Sequence, residues 1–190
     1  EQPWFRARVG CFADQVYPVQ ALARYHRHAS SGEALAAADA CARRICDLQG
    51  GAGQWWWHYD WKRGDVIEGY PVYSVHQHAM APMALFDLAE CGGANLAAHA
   101  ISSVNWLIDT PETSQQLICD DLGVIWRKVA RREPRPKLVR ALRAAARPAG
   151  VDGALRVLDR IAPPGPIDYE CRPYELGWLL YAWLHRTTES

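Results

Sequence analysis

Residues 54–78 concentrate the side chains best suited to bind or transform a ligand: indoles, phenols, imidazoles and carboxylates in one stretch of chain. Alternate residues of an extended strand share a face, so this stretch predicts an aromatic face opposite a polar one. Aromatic faces stack on sugar rings and also stabilise cations. Core packing is the alternative, since tryptophan is commonly buried. The predicted substrate-binding aromatic residues are Trp55, Trp57, Tyr59 and Tyr73.

Two carboxylates flank one predicted turn and are candidates for acid–base catalysis. Asp60 opens the sequence DWKRG, which is typical of a hairpin turn, and Glu68 follows it. A carboxylate pair can hydrolyse a glycosidic bond, and its separation distinguishes a nucleophilic mechanism from one that activates water. His58, before the turn, is a further catalytic candidate. For Asp60 the alternative is structural, because aspartate side chains commonly accept hydrogen bonds from turn amides.

A polar sequence, HQH, marks the predicted start of the helix that follows this hairpin. Amides at a helix start are unpaired and carry partial positive charge, which favours a neutral imidazole. His76 is therefore predicted as a catalytic base and Gln77 as a substrate-binding residue. His76 and His78 would point in different directions on a helix, which makes them a weak metal pair. No metal ion or cofactor is predicted, and capping or core hydrogen bonding is the alternative.

Similar polar residues begin two other predicted helices. If all three are inner helices of a ring, their starts converge on one cavity mouth. Arg172 could hold a carboxylate or phosphate there, or simply pair with Glu170. The basic residues between 127 and 147 are predicted to form a solvated helix face, with phosphate or partner binding as the alternative. The residues predicted to line the mouth are Asp14, Gln15, His76, Gln77, Glu170 and Arg172.

Hydrophobic periodicity predicts helices separated by turns that contain glycine. Ser31 is predicted to cap the second helix. β-Hairpins are predicted within 54–73 and 117–126. The predicted helices cover 14–29, 33–48, 74–91, 95–108, 137–147, 151–161 and 174–185.

Several landmarks recur after about 60 residues, which predicts repeats over 12–73 and 74–134, then C-terminal helices in 135–190, all in one domain. The expected fold is mainly α: helical-hairpin repeats of an (α/α) toroid with short β-hairpins on one rim. A closed ring needs more helices than the sequence predicts, so we expect an incomplete ring. It would be part of a longer chain, be completed by a second chain or by self-association, or stay open.

The segment 43–55 resembles the QW-type repeat of the terpenoid-cyclase and protein-prenyltransferase toroids: a helix end, Gln49, a short gap, then Gly53 and Trp55. The resemblance implies a toroid in which Gln49 satisfies amides at the next helix start. The cyclase Asp-x-Asp-Asp acid and the prenyltransferase zinc ligands have no counterpart. The alternation of helix pairs and aromatic hairpins is also similar to six-hairpin glycosidases, polysaccharide lyases and sugar epimerases, in architecture alone.

Composition excludes several other classes of protein. The 21 Lys and Arg residues balance 21 Asp and Glu residues, so no nucleic-acid partner is predicted. No apolar stretch is long enough for a membrane span. The six cysteines form no CxxC pair, and reduced thiols in a cytoplasmic protein are expected.

The leading functional hypothesis is an enzyme acting on a carbohydrate or another polyhydroxylated small molecule by acid–base chemistry, similar to a glycoside hydrolase, lyase or epimerase. The first alternative is an isoprenoid cyclase or prenyltransferase, whose cavity should be almost entirely apolar. The second is a non-catalytic repeat scaffold that binds a protein partner.

Overall fold

Helices predominate in this mixed α/β fold, as expected from the periodicity. The computed structural model describes residues 8–135, 137–150, 155 and 157–184. A π turn (His76–Met80) leads directly into the third helix. The α-helices are α1 (Ala13–Ala29), α2 (Gly32–Asp47), α3 (Ala81–Glu90), α4 (Ala97–Ile108), α5 (Leu138–Ala146), α6 (Leu158–Ile161) and α7 (Pro173–Trp183).

The helix predicted over 151–161 is only partly covered by the described residues. Its last residues form α6, whereas positions 151–154 and 156 lie outside the described residues, as does position 185 of the last predicted helix. Neither a toroid nor an internal repeat is detected in the part of the chain that the structure describes.

In the described part of the chain, three small antiparallel sheets accompany the helices. Both predicted hairpins are confirmed, since β2 pairs with β3 across the DWKRG turn and β5 pairs with β6. The first sheet has the order β1-β2-β3, and the second has the order β4-β7-β8. The strands are β1 (Val9–Cys11), β2 (His58–Asp60), β3 (Asp65–Glu68), β4 (Val72–Tyr73), β5 (Ile118–Cys119), β6 (Val124–Ile125), β7 (Lys128–Arg131) and β8 (Pro164–Asp168).

The α1–α2 pair forms where its local signals predict. α1 ends at Ser30, whose φ of 51° is left-handed. The predicted cap of α2 is confirmed, because the Ser31 hydroxyl accepts a hydrogen bond from the Ala34 amide at 3.3 Å. Small buried residues on the facing side of α2, Ala38 and Ala42, let the two helices approach closely.

The apolar side chains form two cores. The first joins α1, α2 and α3 around Trp55, and the second joins β4, β7 and β8 around Trp106. Both tryptophans are fully buried. α7 packs against the π turn and α3 and leaves Leu180, Tyr181 and Leu184 exposed. Among the described residues, no helix has the length and apolar character needed to cross a membrane.

Gln49 reaches the start of α4, but its bonding partners differ from those expected. Its Nε2 donates to the carbonyl oxygens of Gly53 and His99, both at 2.9 Å. Its Oε1 lies 2.7 Å from Nδ1 of His99. The prediction that Gln49 satisfies free helix amides is therefore wrong, because the side chain bridges two carbonyl groups and an imidazole.

Candidate functional site

His76 lies in a cluster of aromatic rings, here called the histidine cluster (Phe12, Trp57, Tyr73 and His76). Its imidazole stacks on the Trp57 indole with centroids 5.6 Å apart and planes 8° apart. The rings of Phe12 and Tyr73 lie 4.6 and 5.2 Å from it. Burial lowers the pKa of His76 to about 3. The imidazole is therefore neutral at pH 7, as predicted for a base, but its 3% exposure leaves no surface for a substrate.

Gln77, expected to bind substrate, is fully buried and joins two segments of backbone. Its Oε1 accepts the Trp55 amide at 2.9 Å. Its Nε2 donates to the Tyr73 carbonyl at 3.0 Å and to the Trp55 carbonyl at 3.3 Å. Because both ends of the amide are occupied inside the protein, the structure supports a positioning role instead.

The predicted aromatic platform is only partly available. Trp55 is fully buried and stacks on Phe12 with centroids 5.7 Å apart, and Tyr59 is 3% exposed. Burial also raises the pKa of the Tyr59 phenol. Trp55 is not part of β2, since its backbone N–H and C=O groups bond to the Gln77 side chain and not to a neighbouring strand. Only Trp57 and Tyr73 of the predicted platform are half-exposed.

Glu68 is held in a closed arrangement of four charges, the ion-pair ring (Glu68, Arg131, Arg143 and Asp159). Its Oε1 lies 2.8 Å from Arg131, and its Oε2 lies 3.1 Å from Arg143. Both guanidinium groups also contact Asp159, at 2.8 and 2.7 Å. Glu68 Oε1 further accepts the Tyr70 amide at 2.9 Å. Oε1 therefore accepts hydrogen bonds, whereas the buried Oε2 accepts none and has only its ion pair with Arg143. Held by these contacts, Glu68 is placed to fix the wall of the site.

The other two predicted catalytic residues lie in the β2–β3 hairpin. Asp60 Oδ1 accepts the amides of Lys62 and Arg63, each at 3.0 Å, which matches the structural alternative for a turn aspartate. His58 pairs with Glu68 in the hairpin register and lies edge-on to Trp57 at 5.1 Å. His58 thus borders the histidine cluster, whereas Asp60 serves the turn.

The six residues predicted to share one mouth are divided between different parts of the fold. Asp14 accepts the Cys11 amide at 2.7 Å, which fixes the β1–α1 connection. The Gln15 side chain lies 3.8 Å from the Cys41 thiol. Since Gln77 and His76 are buried in the core, the expectation of a single polar mouth lined by all six is not met.

Glu170 and Arg172 do approach the histidine cluster, through Arg127. Glu170 contacts Arg127 and Arg172, each at 2.5 Å, and these donors lower the pKa of the Glu170 carboxyl. The Arg127 guanidinium in turn lies 5.2 Å from the centre of the Tyr73 ring. The structure therefore agrees with the alternative reading, in which Arg172 pairs with Glu170, and it connects that pair to Tyr73.

Glu175 was not predicted, although it is a carboxyl group in a buried position. It is 4% exposed in the first turn of α7, its Oε1 lies 3.3 Å from the Tyr174 hydroxyl, and burial raises its pKa. The charges of Arg127 and Arg172 act on it in the opposite direction. The signal was present in the sequence, because Glu175 is the single charged residue of an otherwise apolar helix.

A cavity of about 260 Å³ lies on the other side of Tyr73, between the β3–β4 connection, β7 and the start of α5. We call it the tyrosine–cation cavity. The Lys128 ammonium lies 5.5 Å from the Tyr73 ring centre, and the Arg131 guanidinium lies 4.8 Å from that of Tyr70. Glu68 and Tyr73 are the predicted site residues that line it. Its other lining residues are Tyr70, Pro71, Lys128, Ala130, Arg131, Glu133, Lys137, Val139 and Arg140.

Comparison with known proteins gave no match: no protein family, no curated protein and no solved structure is significantly similar to this chain. Within the described residues, no group of three His, Cys, Asp or Glu side chains is arranged to hold a metal ion.

Proposed function

We propose that the protein binds a carbohydrate residue in the tyrosine–cation cavity and acts on it by acid–base chemistry. The observation that carries this proposal is the cavity itself, in which Tyr70 and Tyr73 stand beside charged side chains. Phenol rings pack on the apolar face of a sugar, and charged groups bond to its hydroxyls. Pockets for drug-sized ligands measure about 300–1,000 Å³. A cavity of about 260 Å³ therefore suits a single sugar ring.

Tyr73 is the residue that we assign to proton transfer. It lines the cavity, its phenol is among the side chains used for general acid–base catalysis, and it contacts the neutral His76 on its other side. Arg127 and Lys128 lie close enough to its ring to stabilise negative charge that develops there. Glu68 supports the cavity wall in this proposal, and His76 positions Tyr73.

The experiment compares Tyr73→Ala and Tyr73→Phe with the unmodified chain, using calorimetry against D-glucose and D-glucuronate. Tyr73→Ala should weaken sugar binding about tenfold, because it removes the ring contact. Tyr73→Phe should bind sugar with unchanged affinity. If the unmodified chain converts one of these sugars to a product, Tyr73→Phe should no longer do so. Tyr25→Ala is the matched control, since Tyr25 is 58% exposed on α1. Undiminished binding by Tyr73→Ala, or the absence of sugar binding by the unmodified chain, contradicts the proposal.

We also propose that this chain contributes helix pairs to an α/α ring. The order of elements supports this: the pair α1–α2 precedes the hairpin β2–β3, and the pair α3–α4 precedes the hairpin β5–β6. The mass of the natural assembly tests it, because a ring completed by a second chain requires at least a dimer. All six cysteines are free in the structure, which supports a reducing, cytoplasmic location.

A second candidate function, a scaffold that binds a protein partner, is favoured by α7. This helix is apolar around most of its circumference, and Leu180, Tyr181 and Leu184 are exposed on it. Replacing Leu180 and Leu184 by serine should abolish self-association or partner binding in sedimentation experiments if this function holds. An isoprenoid cyclase has no comparable support, because the charged lining of the cavity is unsuited to a prenyl chain.

A further inference from the structure

We infer that the sugar bound in the tyrosine–cation cavity carries an anionic group, a carboxylate or a phosphate. This inference rests on the proposed function and concerns the same site. The cavity wall combines cationic and acidic side chains in unequal number. The cations are Lys128, Arg131, Lys137 and Arg140, and the acids are Glu68 and Glu133.

Both acids already have partners within the protein. Glu68 is enclosed by the ion-pair ring, as described above. Glu133 Oε1 accepts the Lys137 amide at 2.7 Å, and its Oε2 accepts the Val139 amide at 3.0 Å. Each Glu133 oxygen therefore bonds to the backbone at the start of α5. Glu68 pairs with Arg143 of α5, and no ion pair in the described part of the chain joins either carboxylate to the Lys137 ammonium group.

Two of the cations are also balanced within the protein. Arg131 is shared between Glu68 and Asp159, and Lys128 contacts Asp168 at 2.5 Å. Lys137 differs, because no carboxylate in the described part of the chain forms an ion pair with its ammonium group. It is exposed and lines the cavity. Its ammonium group is therefore available to pair with an anionic ligand.

The geometry thus separates two tasks within one cavity. Tyr70 and Tyr73 line the cavity at the β3–β4 connection, and Lys137 offers a cationic hydrogen-bond donor at the start of α5. A hexuronate or a phosphorylated hexose carries both a sugar ring for the tyrosines and an anionic group for Lys137. A neutral hexose would use only the tyrosines.

The experiment measures the affinities of D-glucuronate, D-glucose 6-phosphate and D-glucose for the whole chain and for Lys137→Gln. We expect at least one anionic sugar to bind about tenfold more tightly than glucose, and Lys137→Gln to remove that preference while glucose affinity stays the same. A preference for D-glucuronate identifies the anionic group as a carboxylate, and a preference for D-glucose 6-phosphate identifies it as a phosphate. Arg132→Gln is the matched control, because Arg132 is exposed and does not line the cavity.

The outcomes separate this inference from the proposed function. Equal binding of all three sugars that is lost in Tyr73→Ala overturns the anionic ligand and leaves the carbohydrate site standing. An anionic preference that persists in Lys137→Gln overturns the assignment of Lys137 as the group that binds the anion. If none of the three sugars binds, both proposals are overturned. Circular dichroism of each variant establishes that its fold is intact.

Discussion

The buried histidines of the π turn predict that the protein loses stability in mild acid. Burial lowers the pKa of His76 to about 3 and that of His78 to about 4, from an ordinary value of 6.5. At pH 5 both imidazoles are therefore neutral in the folded chain, whereas in the unfolded chain they are mostly protonated. Because the unfolded state binds more protons, the free energy of unfolding falls as the pH decreases below about 6.5.

The size of the loss follows from the difference between pH 5 and the unfolded pKa. Each histidine contributes about 2 kcal/mol, so the pair lowers the free energy of unfolding by about 4 kcal/mol between pH 7.5 and pH 5. That is a large part of the roughly 5–15 kcal/mol that stabilises a typical domain. Glu175, whose pKa is raised, acts in the opposite sense, since its contribution is lost as the pH rises. The test therefore compares how much the free energy of unfolding changes with pH in the unmodified chain and in a variant that lacks His76, because Glu175 is present in both.

The assay is urea unfolding of the unmodified chain and of His76→Phe at pH 7.5 and pH 5. A phenyl ring keeps the contacts with Phe12 and Trp57 and removes the titrating group, so His76→Phe should lose about 2 kcal/mol less than the unmodified chain on acidification. His28→Gln, an exposed substitution on α1, should follow the unmodified chain. If the unmodified chain and His76→Phe lose the same free energy, the assignment of His76 as a buried neutral base is refuted.

Two further substitutions test other parts of the structure. Gly53 has a φ of 95°, and a Cβ there would meet the Ser102 carbonyl oxygen at 2.1 Å, so Gly53→Ala should lower the free energy of unfolding by about 3 kcal/mol or more. Gly92 has a similar φ of 89° but open space around it, so Gly92→Ala should lower the free energy of unfolding by only about 1–2 kcal/mol. Thermal unfolding of the two variants measures the difference. Glu68→Gln should cost about 3–5 kcal/mol, because it leaves Arg131 and Arg143 without their buried partner; an unchanged midpoint of unfolding would contradict the ion-pair ring.

Local signals predicted the elements that local chemistry determines. The Ser31 cap, the break after Ala29 and the DWKRG turn lie where the sequence placed them, because each depends on a few adjacent residues. The π turn could not be predicted in the same way, since its sequence has the periodicity of an ordinary helix start. The bonds between Gln77 and Trp55 could not be predicted for a related reason: the two residues are 22 positions apart in sequence, and no local pattern shows the contact.

The second sheet was missed because its strands are distant in sequence. β4, β7 and β8 pair across nearly 100 residues of chain, and the basic residues of β7 were assigned to a helix face. The strand β8 begins with the sequence PGP, whose residue types are typical of a turn, and it lies at a sheet edge where proline is tolerated. Tyr70, Lys128 and Lys137 meet only through these pairings, so the cavity could not be predicted.

The Gln77 amide has a mechanical consequence for the site. A single side chain links the loop that leads to Trp57 with the strand that ends at Tyr73, so neither segment can shift without disturbing the other. Tyr73 touches the cavity on one side and the Trp57 indole, at a centroid distance of 4.6 Å, on the other. Displacement of Tyr73 by an occupant would therefore alter the surroundings of Trp57. Trp57 is one of nine tryptophans, so the part of a fluorescence change that is lost in Trp57→Phe would report on the cavity.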